Sequence, residues 1–332
     1  MAERPVFAWQ DSDLAGRIRT YREDTHMHAS AWFQDLPVIG EMPPAEAAAK
    51  LLELDEDEAA RALDLALATA EPTAAGLDWP FGDRAWQHTA HAFGYLAPAL
   101  PGSQPLPIQH AGNIVPDTTL RDARIKITLD RLRVADYPGG GTHQVLFDFY
   151  AQNQVPGDVE HLHFNATHRV REGQQAATLG FPIFVGLNVG SEGVAFKCFT
   201  VNVRNEDDEA FLRFLESDVF RAGLKLISAA QPAIAPLAEM AYSLTKNIAS
   251  HNRNVPVQDF YLGLDFGDIV TRARLAEGSY LAVQIPETLE VLWDWQKWVY
   301  DPNNGQIVRQ DDPTVLVPYN YIILGVSRYE GP

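Results

Sequence analysis

Apolar and polar positions alternate strictly in Arg124-Ile-Lys-Ile-Thr-Leu129. Successive strand side chains point to opposite faces, so Ile125, Ile127 and Leu129 share one buried side. Pro138-Gly-Gly-Gly141 predicts a turn, and His143 to Tyr150 an antiparallel return strand paired with the first. Further strands are expected over 160–170, 181–187 and 194–203, in one meander, with Asn188-Val-Gly-Ser-Glu-Gly193 as a turn. From 207 to 251 the apolar spacing lengthens to about 3.6 residues (Phe211, Leu215; Met240, Leu244, Ile248), which predicts a helical insertion interrupted at Pro232 and Pro236. Strands resume over 258–264, 279–285, 292–300 and 319–326, with Asp301-Pro-Asn-Asn-Gly305 as a turn signal.

The front of the chain reads differently. Pro43-Pro44 before an Ala- and Leu-rich run to Leu54 predicts one helix, since proline suits a first turn. Asp55 with Glu58 resembles a capping pair for a second, carrying Ala59, Leu63 and Ala66 on one stripe. Trp86 to Phe93 would place His88 and His91 on one side of a further helix. The expected class is therefore α+β: a helical N-terminal region followed by an antiparallel β-sandwich with a helical insertion. Its divisions are an extended arm over 1–40, a helical region and connector over 41–118, and the sandwich over 119–332 with its insertion at about 207–251.

The strand 124–134, the turn Ala135-Asp-Tyr-Pro-Gly-Gly-Gly141 and the return strand carrying Phe147-Asp-Phe149 resemble C2-type β-sandwich domains over the second two-thirds of the chain. That resemblance implies loops at one end able to gather calcium.

Composition narrows the function classes. The 332 residues carry a net charge of −18, a field that repels phosphate backbones and disfavours nucleic-acid binding. Up to residue 118 there are 18 acidic against 7 basic residues, so the acidity is concentrated in front. The single cysteine, Cys198, sits in an apolar stretch and reads as a small buried hydrophobe in a reducing compartment. No run of about 18 apolar residues predicts a membrane span, and no apolar signal core follows Met1, so a cytoplasmic location is expected.

Candidate chemistry is sparse. No phosphate loop, dinucleotide fingerprint, nucleophile elbow or zinc-protease motif occurs. His161 and His163 stand at i and i+2 on a predicted strand and share a face, so with His168 they could hold a divalent metal ion; otherwise they line a solvent-facing side. His26-Met-His28 is another pair. Asp136, Asp158, Asp207 and Asp208 lie at predicted loop ends and could converge on calcium, although Asp207 and Asp208 also suit a helix N-terminus. Phe7, Trp9, Trp32 and Phe33 lie in the irregular arm and need another surface to cover them. The expected function is a non-enzymatic binding or self-assembly protein, with a protein partner or a second copy and no cofactor. The alternatives are a metal-dependent enzyme or a calcium-binding C2-like module.

Overall fold

The computed structural model describes residues 33, 35–69, 83–98, 104–176, 178–215, 223–226, 234–267 and 273–331. The chain divides into two compact units, 1–35 and 36–332. Within the first only Phe33 and Asp35 are described, and Phe7, Trp9, Trp32, His26 and His28 lie outside the described residues.

The second unit is mostly β, with several sheets and few helices. Two helices come first, α1 (Pro44–Glu53) and α2 (Asp57–Thr69), packed against each other. Pro44 occupies the first turn of α1, and Asp55, at φ 63°, breaks the chain between the helices. Asp tolerates this left-handed conformation better than most residues.

Seven strands form the first sheet: β1 (Ala90–Leu96), β3 (Gln109–His110), β4 (Arg124–Arg133), β7 (Phe181–Asn188), β9 (Leu224–Lys225), β12 (Gly278–Ile285) and β15 (Tyr321–Arg328). Their order is β3-β1-β12-β15-β4-β7-β9. Five more form the second: β5 (Thr142–Val155), β6 (Asp158–Arg171), β8 (Gly193–Val203), β10 (Val255–Asp265) and β11 (Ala273–Arg274), ordered β11-β10-β8-β5-β6. A three-stranded sheet joins β2 (Leu106–Pro107), β13 (Trp298–Asp301) and β14 (Gln306–Arg309).

One buried cluster joins Ile125, Ile127 and Leu129 of β4, Phe184 of β7 and Leu324 of β15 to Phe147 and Phe149 of β5, Leu162 and Phe164 of β6, and Phe196 of β8. The two larger sheets therefore share a core, to which Ala47, Leu51 and Leu63 of α1 and α2 also belong. A second cluster lies on the other side of the seven-stranded sheet, where Leu281, Val283, Tyr321 and Ile323 meet Trp295, Ile307 and Val317. The outer face of the five-stranded sheet is covered by α4 (Ile234–Ser250), which lies along β6 and touches β5, β8 and β10; α3 (Glu206–Leu215) also contacts β6. Pro236 falls in the first turn of α4, where its missing N–H is not needed.

The structure departs from three expectations. The segment around His88 and His91 is not helical: a short 3-10 turn, Ala85–Gln87, leads into β1, which pairs with β12 and β3. Both faces of β1 are buried, with Phe93 and Tyr95 toward one cluster and Ala92 and Leu96 toward the other, so no polar face marks its period of two. Next, β4 does not pair with β5. It lies between β15 and β7, and the Pro138–Gly141 turn carries the chain from one sheet to the other. Finally, 292–300 is not one strand but a 3-10 turn, Trp295–Lys297, running into the short β13. Trp295 packs onto Gly94 so closely that an added Cβ there would lie 2.9 Å from its ring.

Candidate functional site

The histidines singled out in β6 lie on the outer face of the five-stranded sheet, and the strand register builds their surroundings. His163 stands opposite Tyr150 of β5, Tyr150 opposite Lys197 of β8, and Lys197 opposite Tyr261 of β10. In the next row Asn165, Asp148, Phe199 and Asp259 follow in the same order. His161 faces Gln152 and meets the Tyr150 hydroxyl through Nδ1 at 2.6 Å.

At its centre this face is not open to water, although Tyr261 at the β10 side is exposed. The His163 side chain is fully buried, its Nδ1 3.0 Å from Asp148 Oδ1 and its ring between those of Tyr150 and Tyr242. Asp148 Oδ2 accepts hydrogen bonds from Asn165 Nδ2 at 3.0 Å and from Thr245 Oγ1 of α4 at 2.7 Å. A carboxylate in an apolar strand is tolerated only when such donors replace water. Beside it Lys197 Nζ lies 3.1 Å from Asp259 Oδ2; burial pushes the Asp259 carboxyl up to about 6 against the opposing pull of the lysine. Burial likewise pushes the Tyr150 hydroxyl up to about 12, so it stays protonated at neutral pH. The expected solvent-facing side is thus, around Asp148 and His163, a buried polar layer tied to α4 through Thr245.

His168 lies on the opposite face of β6, edge-on to Phe147 and Phe181, so the structure does not bring it together with His161 and His163. Among the described residues no group of three or more His, Cys, Asp or Glu side chains is placed to hold a metal ion. The aspartates are also dispersed. Asp136 takes both guanidinium branches of Arg84 at 2.6 and 2.9 Å, whereas Asp158 sits at the far end of the β5–β6 hairpin. Asp207 and Asp208 open α3, where Asp208 is held by Asn254 Nδ2 at 2.6 Å and by His251 Nδ1 at 2.8 Å. Cys198 is buried in the shared core, and burial raises its thiol pKa well above the ordinary value.

The second feature is at the surface over the seven-stranded sheet. Tight turns at Glu287–Leu289 and beyond lift Val291 and Leu292 off the fold, 94% and 72% exposed. Next to them Trp293, half-buried, stacks on Trp298 with ring planes 4° apart, meets the buried Trp295 edge-on and touches Tyr319. Tyr319 continues to His88, ring to ring at 5.5 Å, and to Asp83 through a 3.3 Å hydrogen bond. Glu287 accepts from Thr89 N at 2.6 Å and from its hydroxyl at 2.5 Å. Burial opposes ionisation of Glu287, but these bonds and nearby His88 outweigh it and hold its pKa below the usual carboxylate value. Burial, reinforced by Asp83, pushes Tyr319 up to about 12. The result is an aromatic floor beside two exposed aliphatic side chains and several carboxylates.

Sequence reasoning placed Trp293, Trp295 and Trp298 within one expected strand, 292–300. It missed Asp148, whose signal was a lone charge inside the apolar run Val145 to Tyr150. It also missed the run Glu287-Thr-Leu-Glu-Val-Leu-Trp-Asp294, which alternates acids with large apolar residues outside any strand. No family model matches this chain, and neither the curated proteins nor the solved structures contain a significant match. No helix of the described residues is long and apolar enough to cross a membrane.

Proposed function

We propose that the chain is a non-enzymatic binding or assembly protein on a β-sandwich frame, and that the surface around Val291, Leu292, Trp293 and Trp298 is where a partner docks. The observation that carries this reading is the adjacent exposure of Val291 and Leu292 beside the half-buried tryptophans. Other large apolar residues that reach water, such as Val115, Leu179 and Met240, are far apart in sequence, with no second exposed large apolar residue next to them in the chain. Single exposed residues are ordinary; a contiguous apolar patch on a folded surface marks an interaction site more often than not. Aromatic anchors with apolar neighbours are also the usual energetic centre of protein interfaces.

The buried polar layer supports the same reading. Asp148 and His163 have the chemistry of an acid-base pair, yet both carboxylate oxygens of Asp148 are engaged within the fold, by His163, Asn165 and Thr245. The test is selection of displayed random peptides on the native chain, with counter-selection on a Val291→Asp, Leu292→Asp double variant. Both side chains are exposed, so folding is retained. Peptides enriched on the native chain and lost on the variant are expected; equal enrichment on both overturns the surface as the docking site.

A further inference from the structure

We infer that the docking surface takes a cationic segment of a protein partner, one that presents Lys or Arg beside apolar residues; this rests on the docking reading above. Glu287, Glu290 and Asp294 lie in the same short segment as Val291 and Leu292, and Asp83 reaches it through Tyr319. Glu287 is held anionic by Thr89 and His88, as described, and Glu290 is exposed. Against these carboxylates stand four basic groups: His88 is 2.5 Å from Asp83, and Arg309, opposite Trp298 in the β13–β14 register, is paired with Asp311. Lys297 is 3.9 Å from Asp294, and Arg84 is already engaged by Asp136. The surface therefore keeps an unbalanced negative rim around an aromatic floor.

Each part asks for the same kind of ligand. Trp faces attract ammonium and guanidinium groups through the ring quadrupole, and most strongly of the aromatic side chains. Carboxylates beside the rings pair with the same cations, bidentately in the case of arginine. Val291 and Leu292 call for an apolar side chain next to that cation. The net charge of −18 extends the attraction beyond contact distance and speeds encounter with a basic segment while repelling an acidic one.

The experiment titrates the full chain with three synthetic peptides, read by calorimetry and by tryptophan fluorescence. One carries three Arg and two Leu in a Gly/Ser background; in the others the Arg are replaced by Gln or by Glu. The Arg peptide is expected to bind roughly tenfold more tightly than the Gln peptide at low salt, the Glu peptide more weakly still, and the difference should shrink as salt rises. Glu290→Gln with Asp294→Asn, which keeps an oxygen to cap the 295–297 turn, should reduce binding of the Arg peptide and leave that of the Gln peptide unchanged. Equal affinity of the Arg and Gln peptides, both lost in the Val291→Asp, Leu292→Asp variant, overturns the cationic inference while the docking surface stands. No binding of any peptide at millimolar concentration overturns both.

Discussion

Asp148 shows how one residue can decide what a sheet face does. Its carboxyl is buried in the middle of β5 and takes hydrogen bonds from Asn165 and from Thr245 of α4, with His163 at 3.0 Å. Removing one partner of such a buried group leaves it without compensation, at a cost of about 3 kcal/mol. His163→Ala should therefore lower the unfolding free energy by about that amount in denaturant titrations, whereas His161→Ala, which loses one half-buried hydrogen bond to Tyr150, should cost about 1 kcal/mol. Equal and negligible losses would mean that the layer is solvated. Acid should act on other histidines: burial lowers the pKa of His91, His143 and His168 to about 4. Unfolded, each binds a proton below about 6.5. Their contribution is complete above that value and is lost as pH falls toward 4, because the unfolded chain then holds more protons than the folded one. Asp259, raised to about 6, works in the opposite sense but is a single group against three. The denaturant midpoint should thus fall between pH 6.5 and 4 at fixed ionic strength; a flat or rising midpoint contradicts this assignment.

At the scale of elements, strands with one apolar face were legible. β4, β6 and β10 appear where the sequence put them, because a period of two survives wherever the two faces meet different surroundings. β1 was not legible, because both of its faces are buried and its apolar run around His91 reads equally well as helix. Pairing was not legible either: β4 and β5 are neighbours in sequence but belong to different sheets, a choice made by the shared core and not by the turn between them. Of the candidate site, the tryptophans and the His161/His163 pair could be picked out from residue type. Which face was covered depended on α4, more than 70 residues further on. The role of the front is testable at this scale. β1 pairs with β12, and α1 and α2 contribute Ala47, Leu51 and Leu63 to the main core. A chain of residues 36–332 should unfold cooperatively, while one beginning at 116 should lose the cooperative transition and much of its β circular dichroism. A stable β-rich 116–332 chain would show that those contacts are dispensable.

For the whole molecule, the two sides of the double sheet do different work. The helical side buries its polar groups against α4; the other, beyond the seven-stranded sheet, sends Val291 and Leu292 into water above an aromatic cluster bordered by acids. Apolar area of that kind is held out of the core at a free-energy cost of roughly 25 cal/mol per Å² that a partner can recover on binding. The most direct measurement is hydrogen exchange, followed by mass spectrometry, on the native chain with and without the peptide that selection recovers. Slowed exchange confined to residues 287–298 and to the neighbouring His88–Thr89 backbone, with β5, β6 and α4 unchanged, is the predicted result. Protection along β6 and α4, with 287–298 exchanging as fast as before, would contradict the account.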